Sequence, residues 1–271
     1  MTARRRLGPD GPQVSQLCYG AMRLRETVDG RSAADHLRLV HDAGIDTIHS
    51  SHEYDADPIL LDALRAAAAT GRRFHHIVKL AEPGFDDRAF DGARLEAAVD
   101  RRLAELGADT LACVQWLIRT PDPEDEAATV AVIDTAGAAM ADTIQRLQAT
   151  GKVQTFALFP YTAAVAAAAL DHGLVSRFTV YLNRLEDQHT GLADRGATLI
   201  AIRPLAGGRL IADDPAVTAD ALRYPLLHPS VATTMVSVNS ADHLRAVVEA
   251  AGSTAPDRAA FDRLRTSTPT A

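Results

Sequence analysis

The sequence predicts an α/β protein, a (β/α)8 TIM barrel with an N-terminal β-hairpin, in a single domain over 1–271. Three observations carry this. Eight short apolar runs alternate with Ala-rich amphipathic stretches, with Gly or Asp between them. The length, 271 residues, suits eight such units, since barrels of this kind take roughly 250 residues. Polar residues gather where the apolar runs end, and in these barrels the chemistry lies at the carboxyl ends of the strands. A doubly wound open sheet fits less well, because no G-x-G-x-x-G follows the first strand.

The elements follow in order. In "RLGPDGPQVSQL" the run Gly8-Pro9-Asp10-Gly11-Pro12 supplies the turn of a hairpin. The strand candidates are "QLCYG", "IDTIHS", "HHIVKL", "TLACVQWL", "TFALF", "RFTVYLN", "TLIAIRP" and "ATTMVSV". The first helix is "SAADHLRLVHDAG", with Ser32 as N-cap and Gly44 as stop. Its Leu37, Val40, His41 and Gly44 fall on one face, spaced to pack on a sheet. Further helices are expected from Asp91 to Leu106, over a long stretch ending near Thr150, and from Ser240 to Ala250.

Composition narrows the function classes. Hydrophobic residues make up 47% of the chain, ample for a core. A net charge of -7 disfavours a nucleic-acid partner, which wants a basic face. Arg4, Arg5 and Arg6 lead into Gly and Pro rather than an apolar run, so no signal peptide is expected. No apolar stretch is expected to span a bilayer, and a cytoplasmic location follows as an expectation. Cys18 and Cys113 sit in apolar strand candidates and read as small core residues.

The candidate site residues stand where strands end: Met22 and Arg23; His49, His52, Glu53 and Tyr54; Lys79; Gln115, Trp116 and Arg119; Asn183; Arg203; Ser237 and Asn239. Lys79 is the most informative singly, because a lysine closing an apolar strand is costly to bury without a role; its plain alternative is snorkelling from the barrel mouth. His52 and Glu53 read as exposed loop residues. His49 and His52 lack a nameable third ligand, so no metal is expected. His75 and His76 open their strand and read as structural. "PDPEDE", Pro121 to Glu126, reads as a solvated acidic loop. Trp116 reads by default as core, with a substrate wall as the alternative.

The order of these motifs resembles the aldo-keto reductase superfamily over nearly the whole chain. "RLGPDGPQVSQLCYGAMRL", "DAGIDTIHSSHEYD", "HHIVKL", "LGADTLACVQWLIRTPD", "LQATGKVQTFALFPYT", "TVYLNRLE" and "IAIRPLAGGRL" carry the likeness. The resemblance implies NADPH-dependent carbonyl reduction, in which a tyrosine donates a proton, a lysine held by an aspartate tunes it, and a histidine orients the substrate. Placed on this sequence, the tyrosine is Tyr54 and the lysine Lys79. The aspartate position holds His49, and the histidine position falls on Leu117 or within a residue or two of it. The Ser-Asn pair that holds the nicotinamide amide is replaced by Phe159-Pro160. The sixth-strand glutamine becomes Thr179, the stacking tyrosine Ile202, and the last-helix asparagine Val247. Ser237 and Asn239 stand at the adenosine-phosphate loop. The turn Pro204 to Gly208 survives and could cradle an anion.

These replacements fall mostly on one ligand. Hydride transfer needs the nicotinamide held close to the carbonyl carbon, and each lost hydrogen bond weakens that hold by about 0.5–1.5 kcal/mol. The leading expectation is therefore cofactor-independent acid–base chemistry on a carbonyl-bearing small molecule, as a cyclase, dehydratase, isomerase or lyase, in specialised metabolism. Tyr54 would be the acid, and Lys79 and His49 would share the base role. Met22, His52, Trp116, Leu117, Arg119, Phe159 and Ile202 would line the substrate. One alternative is an NADP(H)-dependent reductase that keeps Tyr54 and Lys79 and holds its cofactor at Gly20, Arg203, Leu205, Gly207, Ser237 and Asn239. The other is a non-catalytic binding protein on the same barrel.

Overall fold

All eight strand candidates form strands in the computed structural model, which describes residues 2–87, 89–122, 125–252 and 254–266. The expected hairpin is present: β1 (Arg4–Arg6) pairs antiparallel with β2 (Gln13–Ser15). The chain then runs through β3 (Leu17–Gly20), a small hairpin of β4 (Thr27–Val28) and β5 (Arg31–Ser32), α1 (Ala33–Asp42), β6 (Thr47–Ser50), α2 (Asp57–Ala68), β7 (His75–Ala81), α3 (Gly92–Leu106) and β8 (Cys113–Leu117). It continues with α4 (Glu126–Ala149), β9 (Phe156–Leu158), α5 (Ala163–Asp171), β10 (Arg177–Tyr181), β11 (Thr198–Ile202), α6 (Pro215–Leu227), β12 (Val231–Val236), α7 (Ala241–Ala251) and α8 (Arg258–Thr266). The strands β3, β6, β7, β8, β9, β10, β11 and β12 close a barrel in chain order, and the registered pairs within it are parallel.

Local chemistry fixes the helix ends. Ser32 caps α1 by accepting from the Asp35 N–H, and Asp91 caps α3 by accepting from Ala93 and Arg94. Asp125, Thr162 and Ser240 cap α4, α5 and α7 in the same way. Each satisfies an N–H that the first helical turn leaves without a partner. Gly107 ends α3 in the left-handed conformation, φ 61°, which glycine adopts without steric penalty.

The chain divides into two compact units, 1–75 with 180–271, and 76–179. In the first, Ser15, Thr47 and Thr233 form a fully buried polar knot. The Ser15 and Thr47 hydroxyls lie 3.0 Å apart, and the Thr233 hydroxyl donates to the Ser15 carbonyl at 2.9 Å. In the second, Val78, Val114, Trp116 and Phe156 are fully buried. Cys18 and Cys113 are buried and in no disulfide, as read from the sequence; burial pushes the Cys113 thiol up to about 12.

One expectation is corrected. α4, 24 residues long, contains an 18-residue window with a mean hydropathy of 1.2, which is long and apolar enough to cross a bilayer by length and composition. Its apolarity comes largely from Ala and Val, and it packs against α3 and α5 within its unit. Asp134 lies 2.9 Å from His172 and Arg146 pairs with Glu96 at 2.8 Å, so the helix carries polar contacts along its length. Pro123 and Glu124 of the expected acidic loop lie outside the described residues.

Candidate active site

Strand alternation and register decide which side chains share a face. In the first unit Gly20 is level with His49, Cys18 with Met235, and Ile200 with Thr233. Stepping two residues along each strand puts Cys18, His49, Met235, Ser237 and Ile202 on the face of the buried knot, toward the strands' carboxyl ends. His49, Ser237 and Ile202 were named from the sequence, and Met235 on the same face was not. The signal was available: Met235 lies two residues before Ser237.

His49 is 6% exposed, and its ring centroid is 6.0 Å from that of Tyr54. Tyr54 is fixed by a tight turn after β6. Its N–H donates to the Ser51 carbonyl at 3.1 Å, and its own carbonyl accepts from Asp57 at 2.9 Å. The phenol is pushed up to about 12, first by burial and then by the nearby Glu53 carboxylate and Cys18 thiol. It is therefore a protonated hydrogen-bond donor over the whole physiological range. His52 and Glu53 are exposed, as expected of loop residues. Met22 is 51% exposed on the short 3-10 turn after β3. The Ser237 hydroxyl donates to the Gly20 carbonyl at 2.9 Å, so these two mouth residues are tied together; Asn239 is exposed.

In the second unit Lys79, Gln115 and Ala157 lie at one register level, with Leu117 two residues further along β8. Lys79 is half-buried and Leu117 is buried. Phe159 follows β9 on the same alternation, half-buried, its ring edge-on to Tyr161 at 4.9 Å. Trp116 alternates to the opposite face. It is fully buried beside Phe90 and Phe156, and its indole N–H donates to the Glu82 carbonyl at 2.7 Å. Its surroundings are those of a core residue, not of the substrate wall offered as the alternative. Arg119 stacks over the exposed Phe85 ring, 4.5 Å from its centroid.

The 203–208 turn is unusual in its backbone. Arg203 and Ala206 adopt φ 58° and 50°, and Gly207 and Gly208 φ 72° and 104°. Non-glycine residues rarely take this conformation, and where they do the surroundings must enforce it. The Ala206 and Gly208 N–H groups donate to the carbonyls of Arg203 and Leu205, both at 2.8 Å. Those backbone donors are consumed inside the turn, so the expected backbone cradle for an anion is reduced. Positive charge here comes from Arg203 and Arg209.

No family model matches the chain, and no curated protein matches it. Solved structures do. A holo-form aldo-keto reductase from Bacillus halodurans is 17% identical with a TM-score of 0.75, covering 98% of this chain and 96% of that one. A glycerol dehydrogenase from Gluconobacter oxydans is 15% identical, covering 96% and 93%, TM-score 0.71. An aldo/keto reductase from Klebsiella pneumoniae, in complex with NADP and acetate, is 16% identical, covering 97% and 94%, TM-score 0.70. The chain thus has the fold of the aldo-keto reductases, as its motifs implied.

That fold implies a nicotinamide dinucleotide, and the residues present fit it unevenly. At the positions that the sequence reading gave to the amide-binding pair, Phe159 carries a ring and the buried Pro160 has no N–H to offer. Ile202 offers no aromatic face. Thr179 is fully buried, and its hydroxyl has no hydrogen-bond partner among the described residues. At the phosphate end, Arg203 and Arg209 supply charge.

Proposed function

We propose that this chain is an enzyme that performs acid–base chemistry on a carbonyl-bearing small molecule: a cyclisation, dehydration, isomerisation or retro-aldol-type cleavage. The observation that carries the reading is the buried His49 imidazole beside the protonated Tyr54 phenol. A neutral imidazole can accept a proton near neutral pH. Removing the proton α to a carbonyl breaks a C–H bond, places that proton on His49, and moves the electron pair toward the carbonyl oxygen. Tyr54 donates its hydrogen bond to that oxygen and passes its proton as the oxygen becomes basic. A phenol near 12 suits this, because it donates a strong hydrogen bond to an enolate of nearly matched basicity and gives its proton fully to an alkoxide. Lys79 is proposed to share the base role with His49, as an amine able to form an imine with the substrate. Phe159 and Ile202 would line the apolar part of the substrate.

The test needs no knowledge of the substrate. The full chain is incubated in D2O with a panel of ketones and aldehydes, without nucleotide, and deuterium entering α to the carbonyl is followed by NMR. Incorporation that Tyr54→Phe and His49→Gln each reduce is the expected result. No incorporation above the buffer rate across the panel would overturn the reading. A second reading, NADPH-dependent reduction by Tyr54 and Lys79, is favoured by the NADP-bound Klebsiella structure of the same fold and by the two arginines of the 203–209 segment. It predicts NADPH consumption with an aldehyde panel, lost in Tyr54→Phe.

A further inference from the structure

α8 lies against α6 through an aromatic plug. Phe261 is the buried residue of this helix, with no exposed surface. Its ring stacks on that of Tyr224 in α6, centroids 4.5 Å apart, and stands edge-on to the His228 ring at 4.8 Å. Polar contacts tie the two ends of the helix. The Asp257 N–H donates to the Leu227 carbonyl at 2.9 Å, and Arg265 meets Asp187 at 2.6 Å. Arg258 pairs within α8, with Asp262 at 3.1 Å. A helix held mainly by one ring opens more readily than the barrel beneath it.

His228 controls that plug. It follows the last turn of α6 and is 1% exposed. Its Nδ1 accepts from the Ser230 N–H at 3.2 Å. That bond uses the Nδ1 lone pair, so the neutral ring carries its proton on Nε2. Nε2 has no hydrogen-bond partner among the described residues. A second proton can go only to Nδ1. It breaks the Ser230 bond, leaves that amide without its acceptor, and creates a cation in a buried position. The charges facing the ring give it no dedicated counter-ion. Arg258, Asp262 and Arg265 face it from α8 and Asp194 from the 3-10 segment Thr190–Arg195, two of each sign. Arg5 of β1 adds a further cation on the same side of the chain, bonded to the Val231 and Leu226 carbonyls at 2.9 and 2.7 Å. Burial accordingly holds the imidazole below its ordinary range.

We propose that α8 is an acid-released strap: protonation of His228 unseats Phe261, and the helix lifts from α6 and from Asp187 while the rest of its unit stays folded. Opening lets water solvate the imidazolium, which the closed form does not allow. The device goes beyond the carbonyl chemistry proposed above and does not depend on it.

The experiment is amide hydrogen exchange of the full chain, read by mass spectrometry at about pH 7.5 and about pH 5.5 and corrected for the intrinsic exchange rate at each pH. The expected result is that protection of residues 258–266 falls by about fivefold or more in acid, with about tenfold per pH unit as the ceiling for one proton. Protection of α7 stays within about twofold. In His228→Asn the side-chain oxygen can still accept from Ser230 but does not titrate, so the pH dependence at α8 disappears. Phe261→Ala removes the plug itself. It should strip protection from α8 already at neutral pH, with no further change in acid, which tests the strap should His228→Asn fold poorly. Unchanged α8 protection between the two pH values, a loss shared equally by α7, a pH dependence that persists in His228→Asn, or α8 protection retained in Phe261→Ala would each overturn the proposal.

Discussion

Tyr54 and Gly207 show how much rests on single residues. Tyr54 is the proposed proton donor, so Tyr54→Phe is expected to lower the α-exchange rate by about 10²–10⁴-fold while leaving the thermal transition in place. Because its phenol lies near 12, the rate should show no alkaline loss traceable to Tyr54 below about pH 11, which a pH–rate profile checks. Gly207 is needed for its backbone conformation. It sits at φ 72°, and a Cβ there would lie 3.3 Å from Arg203 Nη2. Gly207→Ala should destabilise the fold by about 1–2 kcal/mol, seen as a lower Tm.

Among the elements, the helix caps act locally and were legible in the sequence. Ser32 caps the helix for which it was read as N-cap, and Asp91 and Ser240, read only as the first residues of their helices, turn out to be the caps. Ser240→Ala should cost about 1 kcal/mol, measured as a small fall in Tm with the far-UV spectrum otherwise retained. The strands were legible for the same reason: apolar runs with punctuation are short-range signals. What depends on register was less so. The side of β8 on which Trp116 lies follows only once Lys79 is known to be level with Gln115. The Glu186 contacts with Arg203 and Arg209 span 17 and 23 positions of chain, and no local pattern announces them. The apolarity of α4 was underread because alanine contributes to hydropathy without looking like a membrane span.

At the level of the whole molecule, burial shapes the response to acid. His36, His75, His189 and His228 are all lowered from their ordinary value, first by burial. Their folded-state values lie below the unfolded value of about 6.5, so protonation favours the unfolded chain. The stability they contribute is present above about pH 6.5 and is lost as the pH falls through their lowered values. Tm should therefore fall from pH 7 to pH 5, and replacing His36 and His228 by Gln should flatten that slope.

The chain has the fold of the aldo-keto reductases, and the reading proposed for it is chemistry without nicotinamide. The most direct test of the central claim is fluorescence titration of the purified full chain with NADPH. The account predicts no saturable binding below about millimolar concentration, since several lost contacts of about 1 kcal/mol each compound to orders of magnitude in affinity. Saturable binding at micromolar concentration, with the nicotinamide emission shifted by enclosure of the ring, would contradict it.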